Sequence, residues 1–277
     1  MRQDDFFLQL WLDHYSEIVG RDNCFVILDG DDWESEVDLS GVNTTVNTQR
    51  FFRRIKHDAW LSQVQRRVLA EILETRDFVF RGDCDELVVM DPSSPKSWDG
   101  VYSEMKEHGY LYCAGVDMVQ HRGRGEVSLD RGGPILQQRR HGILISSYFK
   151  PNLMSAALPL KAGGHGVKEK PVIVSEDVFM FHLGNIDYEM SANRHQSRTS
   201  HFQEHYQGRL KIFDDVMNAS INADFDDAMR IVRDQVSGRV AGKPAIGRPK
   251  KFRNGNIQVG RHSGELTLIP DRFAGLF

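Results

Sequence analysis

The sequence predicts an α/β fold, a layered sandwich around a mostly parallel central sheet, followed by a helical C-terminal part. Three observations lead there. Helical and strand periods alternate along the first third of the chain. The apolar runs between helices are short and continuous, as in strands buried on both faces. Acidic loops follow those runs, at the sheet edge where ligands of such folds collect. With 277 residues, 40% of them hydrophobic, the chain can build a large core as one big domain or two small ones.

Taken in order, Phe7, Leu8, Leu10, Trp11, Tyr15 and Ile18 recur at three- and four-residue intervals, which predicts an amphipathic helix over 5–19 stopped by Gly20. Cys24 to Leu28 reads as a buried strand closed by Asp29-Gly30-Asp31-Asp32. Trp60, Val64, Val68, Leu69 and Ile72 restore the helical period over 57–76, and Phe78-Val79-Phe80 is a second buried strand that runs directly into Asp83-Cys84-Asp85-Glu86. A short helix over 98–108 and a long strand over 110–119 follow. Beyond a Gly/Arg-rich loop at 121–133, apolar runs at 143–145, 172–174 and 178–181 suggest further strands around the loop Gly163-Gly164-His165-Gly166. Residues 186–235 turn helical and polar. Residues 237–256 carry six basic side chains and no acid, the pattern of a flexible basic segment, and 266–269 can fold back as an edge strand.

The 39 acidic against 35 basic side chains give a formal charge of −4, which excludes a surface built to coat nucleic acid. No apolar stretch reaches bilayer length, and the start Met1-Arg2-Gln3-Asp4-Asp5 puts acids where a signal peptide needs positive charge, so a cytoplasmic protein is expected. Cys24, Cys84 and Cys113 are odd in number and widely spaced, a pattern of neither a disulfide framework nor a structural zinc site.

Asp83 and Asp85, two residues apart beyond an apolar strand, can aim two hard oxygen ligands at one cation. An ion held by one or two carboxylates keeps positions open for substrate phosphates. A solvated acidic turn is the other reading of the same string.

The stretch Asp77-Phe78-Val79-Phe80-Arg81-Gly82-Asp83-Cys84-Asp85-Glu86-Leu87 resembles the nucleotide-sugar-binding motif of glycosyltransferases with the GT-A fold. The opening Phe7 to Tyr15, then Gly20 and Phe25 to Gly30, is similar to the early helix and second strand of family 2-like members, and Gly163-Gly164-His165 with Phe181-His182-Leu183-Gly184 fits their later part. The resemblance covers roughly 5–210. It implies a GT-A-like domain over 1–215, with 216–277 as a helical extension and a basic, partly flexible tail. It also implies a UDP- or GDP-linked sugar donor and a glycan or lipid-linked acceptor. Asp83 and Asp85 would hold Mn2+ or Mg2+, a Lewis acid for the departing diphosphate. Asp29, Asp31 and Asp32 would lie near the base and ribose, Asp83 would also face the nucleotide, and Arg67 would meet a phosphate. The apolar strand that opens such domains has no counterpart before the first helix, which implies a nucleotide pocket lacking part of its wall and a non-catalytic descendant as one outcome.

In similar enzymes a later histidine often completes the ion site, which points to His182, just past an apolar strand, and to His165 in its glycine loop. An inverting displacement needs a carboxylate to take the acceptor's proton; Asp117 is the candidate, with Glu176 and Asp177 as competitors. A rival constellation, His201-Phe202-Gln203-Glu204-His205, matches the H-x-x-E-H spacing of a zinc metallopeptidase in strongly hydrophilic surroundings. The basic segment suits peripheral contact with an anionic membrane better than DNA, which the acidic remainder of the chain opposes.

Overall fold

A computed structural model describes residues 2, 4–51, 53–197, 223–238, 257–259 and 262–277. Helix α1 (Asp5–Val19) buries Phe7, Leu8, Leu12 and Tyr15 and ends at Gly20, whose φ of 85° favours glycine. Strand β1 (Phe25–Asp29) pairs in parallel with β2 (Asn43–Asn47) as a small separate sheet. Helix α2 (Arg54–Ile72) leads to β3 (Val79–Phe80) and β4 (Glu86–Met90), then α3 (Trp98–His108), β5 (Tyr110–Val119), α4 (Ile135–Gln138), β6 (His141–Leu144) and β7 (Lys150–Met154). The chain continues through β8 (Val174–Asn185), α5 (Tyr188–Ser197), α6 (Phe225–Val236), β9 (Ile257–Val259) and β10 (His262–Leu268).

Strand β5 is buried along its whole length because both of its edges and both of its faces are covered. On one side β8 runs parallel to it and carries β4 antiparallel; on the other, β7 pairs with its first half and β6 with its second, both antiparallel. Beyond these lie β3 on β7, and β10 then β9 on β6. The expected mostly parallel sheet is therefore corrected: among the described residues β5 with β8 is the single parallel pair of the eight-stranded sheet. The physical reason is that a strand buried on both faces shows the same apolar run whichever way it points, so the runs carry no sign of direction.

Several expectations hold in outline. The helices over 5–19 and 98–108 and the strand over 110–119 form as read. The run at 178–181 lies in β8, of the run at 172–174 only Val174 belongs to that strand, and 266–268 falls inside β10, which lies between β6 and β9 rather than at an edge. Strands β2, β4, β7 and β9 have no counterpart in the sequence reading. Of the helical stretch expected over 186–235, α5 and α6 are described and residues 198–222 lie outside the described residues. No described helix is long and apolar enough to cross a membrane.

The two faces of the sheet differ in chemistry. Phe179 and Phe181 of β8 pack edge-on to Phe273, with Phe225 of α6 against Phe179, an apolar layer. Their alternate neighbours, including His182, point to the other face. The outer edge of β4 is closed by side chains of α1. The Tyr15 hydroxyl accepts from the Val88 amide at 3.0 Å and donates to the Glu86 carbonyl at 3.3 Å, while His14 Nε2 donates to the Val88 carbonyl at 2.9 Å. Burial pushes the Tyr15 phenol well above its ordinary pKa, so it stays a neutral donor and acceptor.

At Gly115 of β5 the absence of a side chain is structural. A Cβ there would stand 2.1 Å from the carbonyl oxygen of Tyr148, which lies in the turn Ser146–Tyr148 between β6 and β7. We predict that Gly115→Ala destabilises the fold by about 3 kcal/mol through this backbone clash, read as a lower urea midpoint; a change within about 0.5 kcal/mol contradicts the packing described.

Candidate functional site

The site lies at the C-terminal ends of the parallel pair, where β8 hands over to α5 and the turn before β4 approaches. Register builds it. His182 stands opposite Asp117 on β5 and opposite Glu86 on β4, so three polar side chains form one row across three adjacent strands on one face. Lys150, opposite Cys113 two pairs further along β5, shares that face.

Every member of the row is paired. Lys150, 3% exposed, bonds the fully buried Glu86 carboxylate and reaches Asp83 Oδ2 at 3.2 Å. Asn152 donates to Glu86 Oε2 at 3.4 Å. Burial works against the Lys150 ammonium, but Glu86 and Asp83 outweigh it and hold its pKa above the usual value. At Asp83, desolvation favours the neutral acid and Lys150 overrides it, leaving the carboxyl below its ordinary range; the side chain itself is 53% exposed. Arg81, 7% exposed, donates to the Gly164 carbonyl at 3.3 Å and so ties the glycine loop to the same cluster.

Asp85 is buried, and its Oδ2 meets Arg194 Nη2 of α5 at 3.0 Å and His182 Nε2 at 3.6 Å. Arg194 also binds Asp4 through Nε at 2.8 Å and lies over the Phe7 ring at 4.6 Å, so it straps α5 and α1 to the site. Asp85, His182 and Arg194 converge on Gly184. A Cβ there would stand 2.9 Å from both Asp85 Oδ2 and His182 Cε1 and 3.1 Å from Arg194 Nη1. The glycine leaves a small cradle between a carboxylate, an imidazole and a guanidinium.

His182 Nδ1 is 2.6 Å from Asp117 Oδ1, and its ring is stacked by Tyr148 at 4.6 Å between centroids. Burial lowers its basicity, but Asp85 and then Asp117 outweigh it, so its pKa stands above the usual value. Asp117 is 2% exposed, and both its oxygens also accept from Asn185 Nδ2, each at 3.0 Å. A general base needs an oxygen that the acceptor hydroxyl can reach. The expected base role for Asp117 does not match this enclosure, whereas an orienting role does. Its competitors stand far off: Asp177, five residues before His182 on β8 and hence about 17 Å away, is paired to Lys96 at 2.7 Å, and Glu176 is its exposed neighbour.

His165 is exposed, with Nδ1 donating to the Ser147 carbonyl at 2.9 Å and the ring folded over Gly163. Crowding around the ring and the Lys150 cation lower its pKa, to about 4, so Nε2 offers a lone pair at neutral pH. Asp29 closes β1 of the small sheet, and Asp31 and Asp32 follow on the loop after it. Asp29 accepts from His57 Nε2 and Asn47 Nδ2, each at 2.8 Å, and Trp60 Nε1 donates to Asn47 at 2.9 Å. Asp32 pairs with Arg2 at 2.7 Å and with Arg50, while Asp31 is exposed. Arg67 is exposed on α2. His201, Glu204 and His205, and the basic segment from 239 to 256, lie outside the described residues.

The nearest pair of donors is Asp85 Oδ2 and His182 Nε2, 3.6 Å apart, but Asp85 is already held by Arg194 at 3.0 Å, so a cation between them would have to displace the guanidinium, and Nε2 offers a lone pair only when the ring is neutral. Among the described residues no group of three or more His, Cys, Asp or Glu is arranged to hold a metal. Two protein ligands leave positions for substrate oxygens. Sequence reasoning missed Lys150, Arg194, Asn185 and Tyr148; a lone lysine inside the run Tyr148 to Met154 was the available signal for the first. Comparison with protein families, with curated proteins and with solved structures finds no match.

Lys150→Met strips the buried Glu86 of its counter-charge. We predict a loss of about 3–5 kcal/mol, with Lys150→Met/Glu86→Leu recovering much of it because the orphaned anion leaves too. Equal losses in the single and double variants, by denaturant titration, contradict the pairing.

Proposed function

We propose that the protein is a metal-dependent glycosyltransferase that moves a sugar from a UDP- or GDP-linked donor to a hydroxyl of a glycan or lipid-linked acceptor. The observation that carries this reading is the convergence of Asp85 and His182 on the Gly184 cradle, at the carboxyl ends of the parallel strands. The motif resemblance at Asp83 to Glu86 selects the donor class. Asp85 and His182 would hold the ion, with Asp83 close by; when bound, it supplies charge neutralisation to the leaving diphosphate. An imidazole beside carboxylates favours manganese over magnesium.

The chain's own groups do the remaining work. Arg81, Lys150 and Arg194 bring three cations to the site; Lys150 and Arg194 are paired there with Asp83, Glu86 and Asp85, and an incoming diphosphate would compete with those carboxylates for them. Asp83, half exposed while its neighbours are buried, is the carboxylate a ligand meets first. Tyr148 excludes water from one face of the His182 ring.

The test is thermal stabilisation by UDP and by GDP, each with and without Mn2+, and release of sugar from a donor panel. Stabilisation of about 2.7 kcal/mol at a hundredfold excess over Kd is expected only with Mn2+ present. Asp85→Ala removes it while the fold is retained. Nucleotide stabilisation that is indifferent to both Mn2+ and Asp85 contradicts the proposal.

A further inference from the structure

We infer that the loop over 121–133 is a docking surface for an anionic lipid bilayer, with Arg122, Arg124 and Arg131 meeting lipid phosphates and Val127 entering the headgroup layer. The inference goes beyond the transferase reading and stands without it; joined to that reading, it selects the lipid-linked acceptor.

Three features carry it. First, the tip stands clear of the fold: residues 122–125 are exposed, and a Cβ at Gly125 would meet nothing within 4 Å. Val127, 77% exposed, is the most exposed large hydrophobic side chain among the described residues. Second, the backbone beneath that tip is held. Gln120 Nε2 donates to the carbonyls of Glu126 and Val127 at 3.0 and 3.1 Å, the buried Arg139 donates to the Val127 carbonyl at 2.7 Å, and the Leu129 amide donates to Asp187 Oδ2 at 2.9 Å. Val127 is therefore presented to solvent by a braced turn. Third, the charges are sorted. The Glu126 carboxylate turns inward, onto His141 Nδ1 at 2.7 Å and the amides of His121 and Arg140, and Asp130 accepts from the Gly132 amide at 3.0 Å. Arg122, Arg124 and Arg131 stay exposed, so a chain of formal charge −4 carries a locally cationic tip.

An aliphatic side chain among arginines fits the interface of an anionic bilayer, which takes up apolar groups and attracts each nearby basic one. A soluble polyanion would leave Val127 in water. The loop also leaves the carboxyl end of β5. Arg122 lies over the ring of Tyr188, the first residue of α5, at 5.0 Å, and Arg131 lies over Phe6 of α1 at 5.4 Å. These are the two helices that Arg194 joins at the candidate site. A bilayer on this loop faces the site.

The experiment is co-sedimentation of the full chain with vesicles of phosphatidylcholine alone and with about a third phosphatidylglycerol. Wild type is expected to partition onto the anionic vesicles only, and to be released by salt. Arg124→Gln lowers the partition coefficient about fivefold, and Arg124→Gln/Arg131→Gln about twenty-five-fold. Val127→Asp lowers it as well, and all three variants keep the wild-type thermal midpoint. No partitioning of the wild type overturns the inference. So does partitioning that the loop variants leave unchanged and that Lys250→Gln/Lys251→Gln in the basic segment lowers, or binding to soluble heparin that anionic vesicles do not compete for. None of these failures touches the transferase reading, which nucleotide stabilisation tests separately.

Discussion

The structure depends on keeping a row of charges inside an apolar sheet. Glu86, His182 and Asp117 stand side by side on three strands whose neighbouring residues are almost all hydrophobic, and none of these charges survives burial alone. Each is matched instead: Glu86 by Lys150, Asp117 by His182 and Asn185, and Asp85 by Arg194. Replacing such a row by packed hydrophobics would be neutral or stabilising in many proteins. The row lies at the carboxyl ends of the parallel pair, the sheet edge where ligands of α/β folds collect.

The same constraint explains the architecture around it. Strand β5 must be covered on both edges to exclude water from the row, which β8 and the interrupted pair β6 and β7 achieve. Glycines stand where backbone or charged groups approach too closely for a side chain: Gly115 under the Tyr148 turn, and Gly184 among Asp85, His182 and Arg194. Helix α1 seals the outer edge of β4 with Tyr15 and His14 and holds Arg194 through Phe7 and Asp4. One helix thus closes the sheet and anchors the site.

Much of this was legible in the amino-acid order. The periodicity of α1 and α3, the apolar run of β5 and the acidic string after Phe80 all stand where local pattern puts them. His182 could be singled out because a polar side chain directly past four apolar ones is conspicuous. Strand direction was not legible, since β4 and β8 are buried on both faces and such runs carry no sign of which way they point. Nor was the role of Asp117: a strand acid reads the same whether it faces an acceptor or a histidine, and only the register between β5 and β8 separates the two. Arg194 lies 109 residues from Asp85, and no local rule connects them.

The central claim is that Asp85 and His182 share one divalent ion beneath a bound diphosphate. Crystals grown with Mn2+ and UDP or GDP, with anomalous scattering recorded at the manganese edge, test it most directly. The account predicts one strong anomalous peak within bonding distance of both side chains, with nucleotide phosphate oxygens completing its coordination. Nucleotide density with the manganese peak elsewhere, or with Arg194 still on Asp85 and no peak between Asp85 and His182, would contradict it.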